Sequence, residues 1–322
     1  MTISIINTRG LPIICIAATM SACTSTSGDH VQSRTEGAIN TDQLAAISHG
    51  PALDASINCN GKTGTSSPDF MVPTDYARIQ DAIDAASSGD TICVEAGTYY
   101  ENIDFDGKAV SVIGAAGAHR TILDGDGSGS VVTMENGESS STVLRGFTIT
   151  NGYAVDGAGM YFYDVAPTLR NLIIADNEAT DDGGGVFSMY SQYTMDNVLF
   201  HENVAGSWGG GIYGYIDTGS MDNVAFVSNS AGSGGGLVLS WGGMDITNAK
   251  IIGNTATYSG GGIYADWDSN DIINGVITGN SANRGGGIYA GKAYLILGAS
   301  LSSTTEINLG DADYGLAGEN SG

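Results

Sequence analysis

Proline, cysteine and positive charge are all scarce. The 322-residue chain holds 5 prolines, 4 cysteines, and 11 lysines and arginines against 35 acidic residues. There are 49 glycines, but no Gly-X-Y period accompanies them, which excludes a collagen-like chain. A formal charge of −24 excludes nucleic acid as a partner, because such a surface repels phosphate backbones and anionic membranes alike. Polyanionic glycans are repelled too, unless a cation such as Ca²⁺ bridges them. Hydrophobic residues, at 42%, are too many for wholesale disorder.

Residues 1–22 carry one charged side chain, Arg9, ahead of the apolar LPIICIAATMSA, which is too short to span a bilayer. The following Cys23 completes MSAC, which resembles the bacterial lipobox, although Met20 stands where leucine is usual. The resemblance implies a lipoprotein-type signal peptide over 1–22 and lipidation at Cys23, hence a membrane partner through that lipid. An ordinary signal peptide cleaved nearby is the alternative. Residues 23–70 are rich in Ser, Thr and Gly with no sustained apolar period, the composition of a flexible stalk. Among the cysteines left after export, Cys59 and Cys93 form either a disulfide or two buried thiols.

The segment TDYARIQDAIDAASSGD (74–90) places Ile79, Ile83 and Ala86 on one helical face, with Gly89 as the stop. Short β-rich runs broken by Gly and Asp follow it. This helix, followed by AGTYYENI and GKAVSVIG, resembles the N-terminal portion of pectin-lyase-like right-handed parallel β-helix proteins, pectin methylesterases among them. The resemblance covers about 70–125 and implies that the helix caps the open end of the solenoid.

A period then takes over. Asn151, Asn177, Asn203, Asn229, Asn254 and Asn280 are separated by 26, 26, 26, 25 and 26 residues, and Asn171, Asn197, Asn223, Asn248 and Asn274 stand six positions before the last five. Glycine runs recur at one phase, such as Gly183–Gly185 and Gly209–Gly211. A fixed period of this length without a helical pattern gives a β-solenoid over about 71–310, ending in an acidic tail over 311–322. Ile174, Phe200, Phe226, Ile251 and Ile277 should stack inside, and the second asparagines should hydrogen-bond up the stack. FHEN (200–203), FVSN (226–229) and GGGIY (209–213, 260–264, 285–289) resemble the repeats of chlamydial polymorphic outer-membrane proteins over about 145–290.

After the glycines, the alternating strand turns Tyr161, Phe187, Tyr213, Val238, Tyr264 and Tyr289 outward, with Trp241 and Trp267 near the next bend. A column of aromatics can stack on sugar rings or contact a protein; it can also be a ladder that stabilises the sheet. No catalytic set emerges. Arg145 and Arg170 lie about one coil apart but outside any lyase-like motif, Asp181–Asp182 lack the other polygalacturonase elements, and His201 has no partner motif. The pairs Asp104/Asp106, Asp124/Asp126 and Asp266/Asp268 could hold Ca²⁺ on loops or simply solvate them.

The expectation is therefore an exported, lipid-anchored protein of the outer membrane or cell surface (secreted or periplasmic if the lipid is absent). Its solenoid would display a face for a polysaccharide or a surface protein. The alternative is a polysaccharide lyase or carbohydrate esterase of the same fold, possibly one that depends on Ca²⁺.

Overall fold

The computed structural model describes residues 58–59, 67–266, 271–273 and 275–290, together with short two- and three-residue strands nearer the termini. Cys23, Trp267, Asp268, Asn274, the 311–322 tail and most of the signal and stalk segments lie outside the described residues.

The protein is a parallel β-solenoid of about 8 turns with about 26 residues per turn. Sheet A has 16 strands, sheet B has 9, and a short sheet C has 5. One coil shows the plan. Strand Gln192–His201 of sheet A is bent at Asn197; Val204–Ala205 follows in sheet C, and Ile212–Tyr215 of sheet B comes after a glycine run. Each strand pairs with its counterpart in the next coil, as in Ile174↔Phe200 and Phe200↔Phe226. Identical positions therefore stack. Ile174, Phe200, Phe226, Ile251 and Ile277 are fully buried, and the Phe200 and Phe226 rings are stacked at 4.7 Å.

The bends are made by residues that tolerate left-handed backbone. Asn171, Asn197, Asn223 and Asn248 have φ between 51° and 57°, which accounts for the first asparagine of each repeat. The second is a buried ladder. Nδ2 of Asn177, Asn203, Asn229 and Asn254 donates to Oδ1 of the next member at 2.9, 3.0, 3.0 and 2.9 Å. Each of those oxygens also accepts the backbone N–H of the residue before it in the ladder. Amide and turn backbone thus satisfy each other where water cannot reach. In the glycine runs, a Cβ on Gly235 would stand 2.4 Å from the Thr255 carbonyl oxygen and 2.5 Å from that of Gly261, so no side chain fits between coils.

Asn151 does not belong to the ladder. Thr150 pairs with Ala175, so Asn151 falls opposite Asp176 and the ladder position is taken by Gly152, whose N–H donates to Asn177 Oδ1. Asn151 is exposed at φ 56° and donates to Asp124 instead. The spacing of 26 counted one turn residue too many at this coil.

The N-terminal helix is shorter than its apolar stripe. It spans Ile79–Ala85 and ends at Ala86, which is extended, while Gly89 serves the following turn at φ 92°. Ile79, Ala82 and Ile83 are buried in the solenoid core. The buried Glu101 carboxylate accepts the N–H groups of Ile79 and Gln80, doing the work of an N-cap from another segment. Phe70–Val72 is the first strand of sheet A, and Cys59 is joined to Cys93 by a disulfide with Cα atoms 5.6 Å apart. No helix among the described residues is long and apolar enough to cross a membrane.

Candidate binding face

Sheet B presents three parallel columns on its outer side. The first holds Tyr161, Phe187, Tyr213, Val238, Tyr264 and Tyr289 in register, as their alternation requires. Its rings lie face to face: Tyr161–Phe187 at 5.3 Å and 11°, Phe187–Tyr213 at 5.4 Å and 12°, Tyr264–Tyr289 at 5.2 Å and 19°. Val238 interrupts the stack and is nonetheless buried, and the Trp208 indole meets Tyr264 edge-on at 4.9 Å two coils away. These faces are occupied by one another. The stacked column turns most of its ring faces on one another and offers mainly edges to the outside.

The second column holds Tyr163, Met189 and Tyr215, and the third is the bend that follows. At this bend Asp164, Tyr190, Ile216 and Trp241 have φ of 53°, 58°, 58° and 62°. The interstrand ladder runs straight through them, with Tyr190 N–H donating to the Tyr215 carbonyl and Ile216 N–H to that of Ser240, so the backbone has no freedom to relax. Tyr190 stands edge-on to both Tyr163 (5.8 Å, 82°) and Tyr215 (6.0 Å, 83°). Tyr163, Tyr190, Ile216 and Trp241 are 43%, 45%, 38% and 52% exposed, forming an apolar ridge along the corner.

Left-handed backbone costs a bulky residue about 1–2 kcal/mol, and a β-branched one is a true outlier there. At its other bends the same chain places glycine or short or acidic polar residues, as at Asn197, Gly209, Asp176, Glu202 and Ser228. Three successive coils instead place Tyr, Ile and Trp, and leave them exposed. Strain kept in place beside an exposed apolar surface is a mark of use rather than of stability. We expect the Ile216→Asn protein to be about 1 kcal/mol more stable than the Ile216→Ala protein by denaturant titration, since both lose the same contacts and only asparagine suits the backbone.

Carboxylates flank the first column. Asp156 Oδ1 accepts the Asp182 N–H at 3.1 Å, and Asp182 Oδ1 accepts the Trp208 N–H at 3.0 Å. Burial, reinforced by Asp181, pushes the Asp182 carboxyl up to about 7. Burial and the nearby Asp182 push Tyr213 up to about 12. Beneath the ridge, the buried Asp217 accepts the Ser191 N–H at 2.8 Å, one residue past Tyr190. Its other oxygen lies near the buried hydroxyls of Ser188 and Tyr193, and none of the three has a hydrogen-bond partner of good geometry. Burial pushes Asp217 up to about 7 as well, so at neutral pH much of it is a neutral acid able to donate to one of those oxygens.

The acidic pairs form turns. Asp104 Oδ1 accepts the Asp106 N–H and Asp124 Oδ1 accepts that of Asp126, with Asp106 and Asp126 both at φ 50°. Among the described residues no group of three or more His, Cys, Asp or Glu side chains is placed to hold a metal ion. His201 sits 3.5 Å from its neighbour Glu202.

The candidates Tyr161, Phe187 and Tyr213 therefore come together as one stack, Tyr264 and Tyr289 as a second, and Trp241 sits apart on the ridge. Tyr190 and Ile216 were not among the candidates. Their signal was available: stepping back from Trp241 by 25 and 26 residues reaches both.

Residues 197–215 and 248–266 match the Chlamydia polymorphic membrane protein repeat. This chain carries that repeat. Both matched stretches run from a bend asparagine to the end of a sheet B strand, so the match covers most of one turn of the solenoid. No curated protein sequence matches. Solved structures similar to it include the pectin methylesterase of Aspergillus niger, at 12% identity over 80% of this chain and 92% of that one, with a TM-score of 0.45. Pectate lyase Pel9A follows at 15% over 78% and 82%, TM-score 0.40, and the rice weevil pectin methyl esterase at 14% over 73% and 89%, TM-score 0.36. At these scores the architecture rests on the protein's own strand pairing.

Proposed function

We propose that this is an exported surface protein, anchored by lipid at Cys23, whose solenoid displays the ridge Tyr163, Tyr190, Ile216 and Trp241 to a polysaccharide. One observation carries the reading. Bulky apolar residues occupy left-handed bends in consecutive coils and remain partly exposed there. Ridge residues one coil apart are separated by ~4.8 Å, a spacing suited to a chain of sugar rings laid along the solenoid axis. Surface location is supported by the kind of repeat the chain carries, which occurs in proteins named for the membrane. The first aromatic column supports the ridge by stiffening sheet B.

The test is retention on a panel of insoluble polysaccharides, with and without Ca²⁺, while unsaturated sugar, released methanol and reducing ends are read in the supernatant. We expect retention without product, weakened roughly five- to thirtyfold by Trp241→Ala, since stacking an aromatic on a ligand ring contributes on the order of 1–2 kcal/mol. Product formation would replace this reading with the lyase or esterase alternative. That alternative draws its support from Asp182, held near neutrality one coil from Asp156.

A further inference from the structure

We infer that Arg145 and Arg170 hold a phosphate group on the outer face of sheet A, away from the aromatic ridge. The two are register partners in strands Val143–Arg145 and Thr168–Ala175, so both side chains leave the same face one coil apart. Arg145 is half-buried. Its Nη2 donates to the Asn58 carbonyl at 2.6 Å, and its Nε is buried with no partner among the described residues. Arg170 is exposed, and its guanidinium makes no hydrogen bond or ion pair among the described residues. Asp196 is the register partner of Arg170 in the next coil, yet it makes no ion pair with it.

A like-charged pair that makes no ion pair, even with Asp196 one coil away, is an odd arrangement in a chain with 35 acidic side chains. Burial first, and then the charge of Arg170, lowers the Arg145 pKa, so each cation makes the other more costly. An anion between them, held by their outward guanidinium nitrogens, would remove that cost.

The surroundings are fixed. Ile113, the register partner of Arg145 on the other side, packs with Cys93 and Cys59. The disulfide anchors Cys59, which in turn holds the Asn58 carbonyl against Arg145. Thus one guanidinium is oriented by the fold and the other is free to close on a ligand. A tetrahedral phosphate dianion brings three acceptor oxygens and two charges to two guanidinium forks. A carboxylate brings two oxygens and one charge, which leaves the pair half compensated.

The chemistry is the same whether the phosphate is free or belongs to a lipid headgroup, and two arms separate these sources. In the first, inorganic phosphate is titrated by calorimetry into the full-length protein at an ionic strength held constant with chloride. In the second, phosphatidylcholine vesicles with and without phosphatidate are sedimented with the protein. We expect saturable binding in at least one arm, at least tenfold weaker in Arg170→Gln and in Arg145→Lys. The lysine keeps the charge and loses the fork, so its failure marks recognition by geometry rather than by net charge. A response to phosphate alone assigns a soluble ligand, and a response to phosphatidate alone assigns the headgroup. Equal binding by wild type and Arg170→Gln, or no binding in either arm, overturns the inference. Arg170 is exposed, so its variant should fold as the wild type does.

Discussion

Replacing Asn229 with alanine should lower the stability of the solenoid by roughly 3–6 kcal/mol, measured by denaturant titration. Asn229 is fully buried at the middle of the ladder. Its Oδ1 accepts both the Asn203 backbone N–H and Asn203 Nδ2 at 3.0 Å, while its Nδ2 reaches the Phe200 carbonyl at 3.1 Å and Asn254 Oδ1 at 3.0 Å. Alanine strips the acceptor from two buried donors, at about 1–3 kcal/mol each, and removes the donor from two oxygens. The loss is large beside the 5–15 kcal/mol typical of a folded domain, although a solenoid sums its stability over neighbouring turns. Asn151→Gly is the control. That residue is exposed and left-handed, so glycine should cost only a few tenths of a kcal/mol. Similar losses for both variants would show that the ladder is not what holds the turns together.

The second large effect is on pH dependence. Asp217 is buried, and its carboxyl is raised to about 7, whereas an unfolded aspartate titrates near 3.9. Below the unfolded value both states are neutral and the group costs nothing. As pH rises from about 4 to about 7, the unfolded chain ionises while the folded one resists, so stability is lost across that window. Three units correspond to about 4 kcal/mol. Asp182 shifts the same way and adds a smaller amount, because it is only partly buried. Asp217→Asn keeps the acceptor for the Ser191 N–H and gives the hydroxyls of Ser188 and Tyr193 a permanent donor. The variant should match wild type at pH 4 and exceed it by several kcal/mol at pH 8. Parallel pH profiles for the two proteins would mean that Asp217 is ionised and solvated in the native state.

How far the sequence discloses this fold depends on what each residue does. The inward column Ile174, Phe200, Phe226 and the ladder from Asn177 to Asn280 are legible, because stacking forces one residue type to recur at one period. Asn151 misleads, since a turn shortened by one residue keeps the letter and changes its place. The helix end at Ala86 is hidden, as an apolar stripe does not say where the chain turns into sheet A. Outward alternation correctly locates Tyr161, Phe187 and Tyr213, yet says nothing of how the rings lie. Their face-to-face stacking is a property of three coils packed together.

The ridge was the harder part to read. Tyr190, Ile216 and Trp241 follow strands in which alternation has already ended, and nothing in a period-2 pattern indicates that a bulky residue sits at positive φ. Arg145 and Arg170 are legible as a repeat-spaced pair, while the absence of an ion pair to either among the described residues is visible only in three dimensions.

Retention of the Ile216→Asn protein on the polysaccharide that captures wild type is the most direct test of the claim that the strained corner is kept for binding. Relief of the left-handed strain should offset the lost side-chain contacts and hold stability within about 1 kcal/mol of wild type. Retention should fall severalfold even so, because the ridge is broken between Tyr190 and Trp241. A folded Ile216→Asn protein that is retained as well as wild type would contradict the account, leaving the corner as part of the wall and the working surface elsewhere.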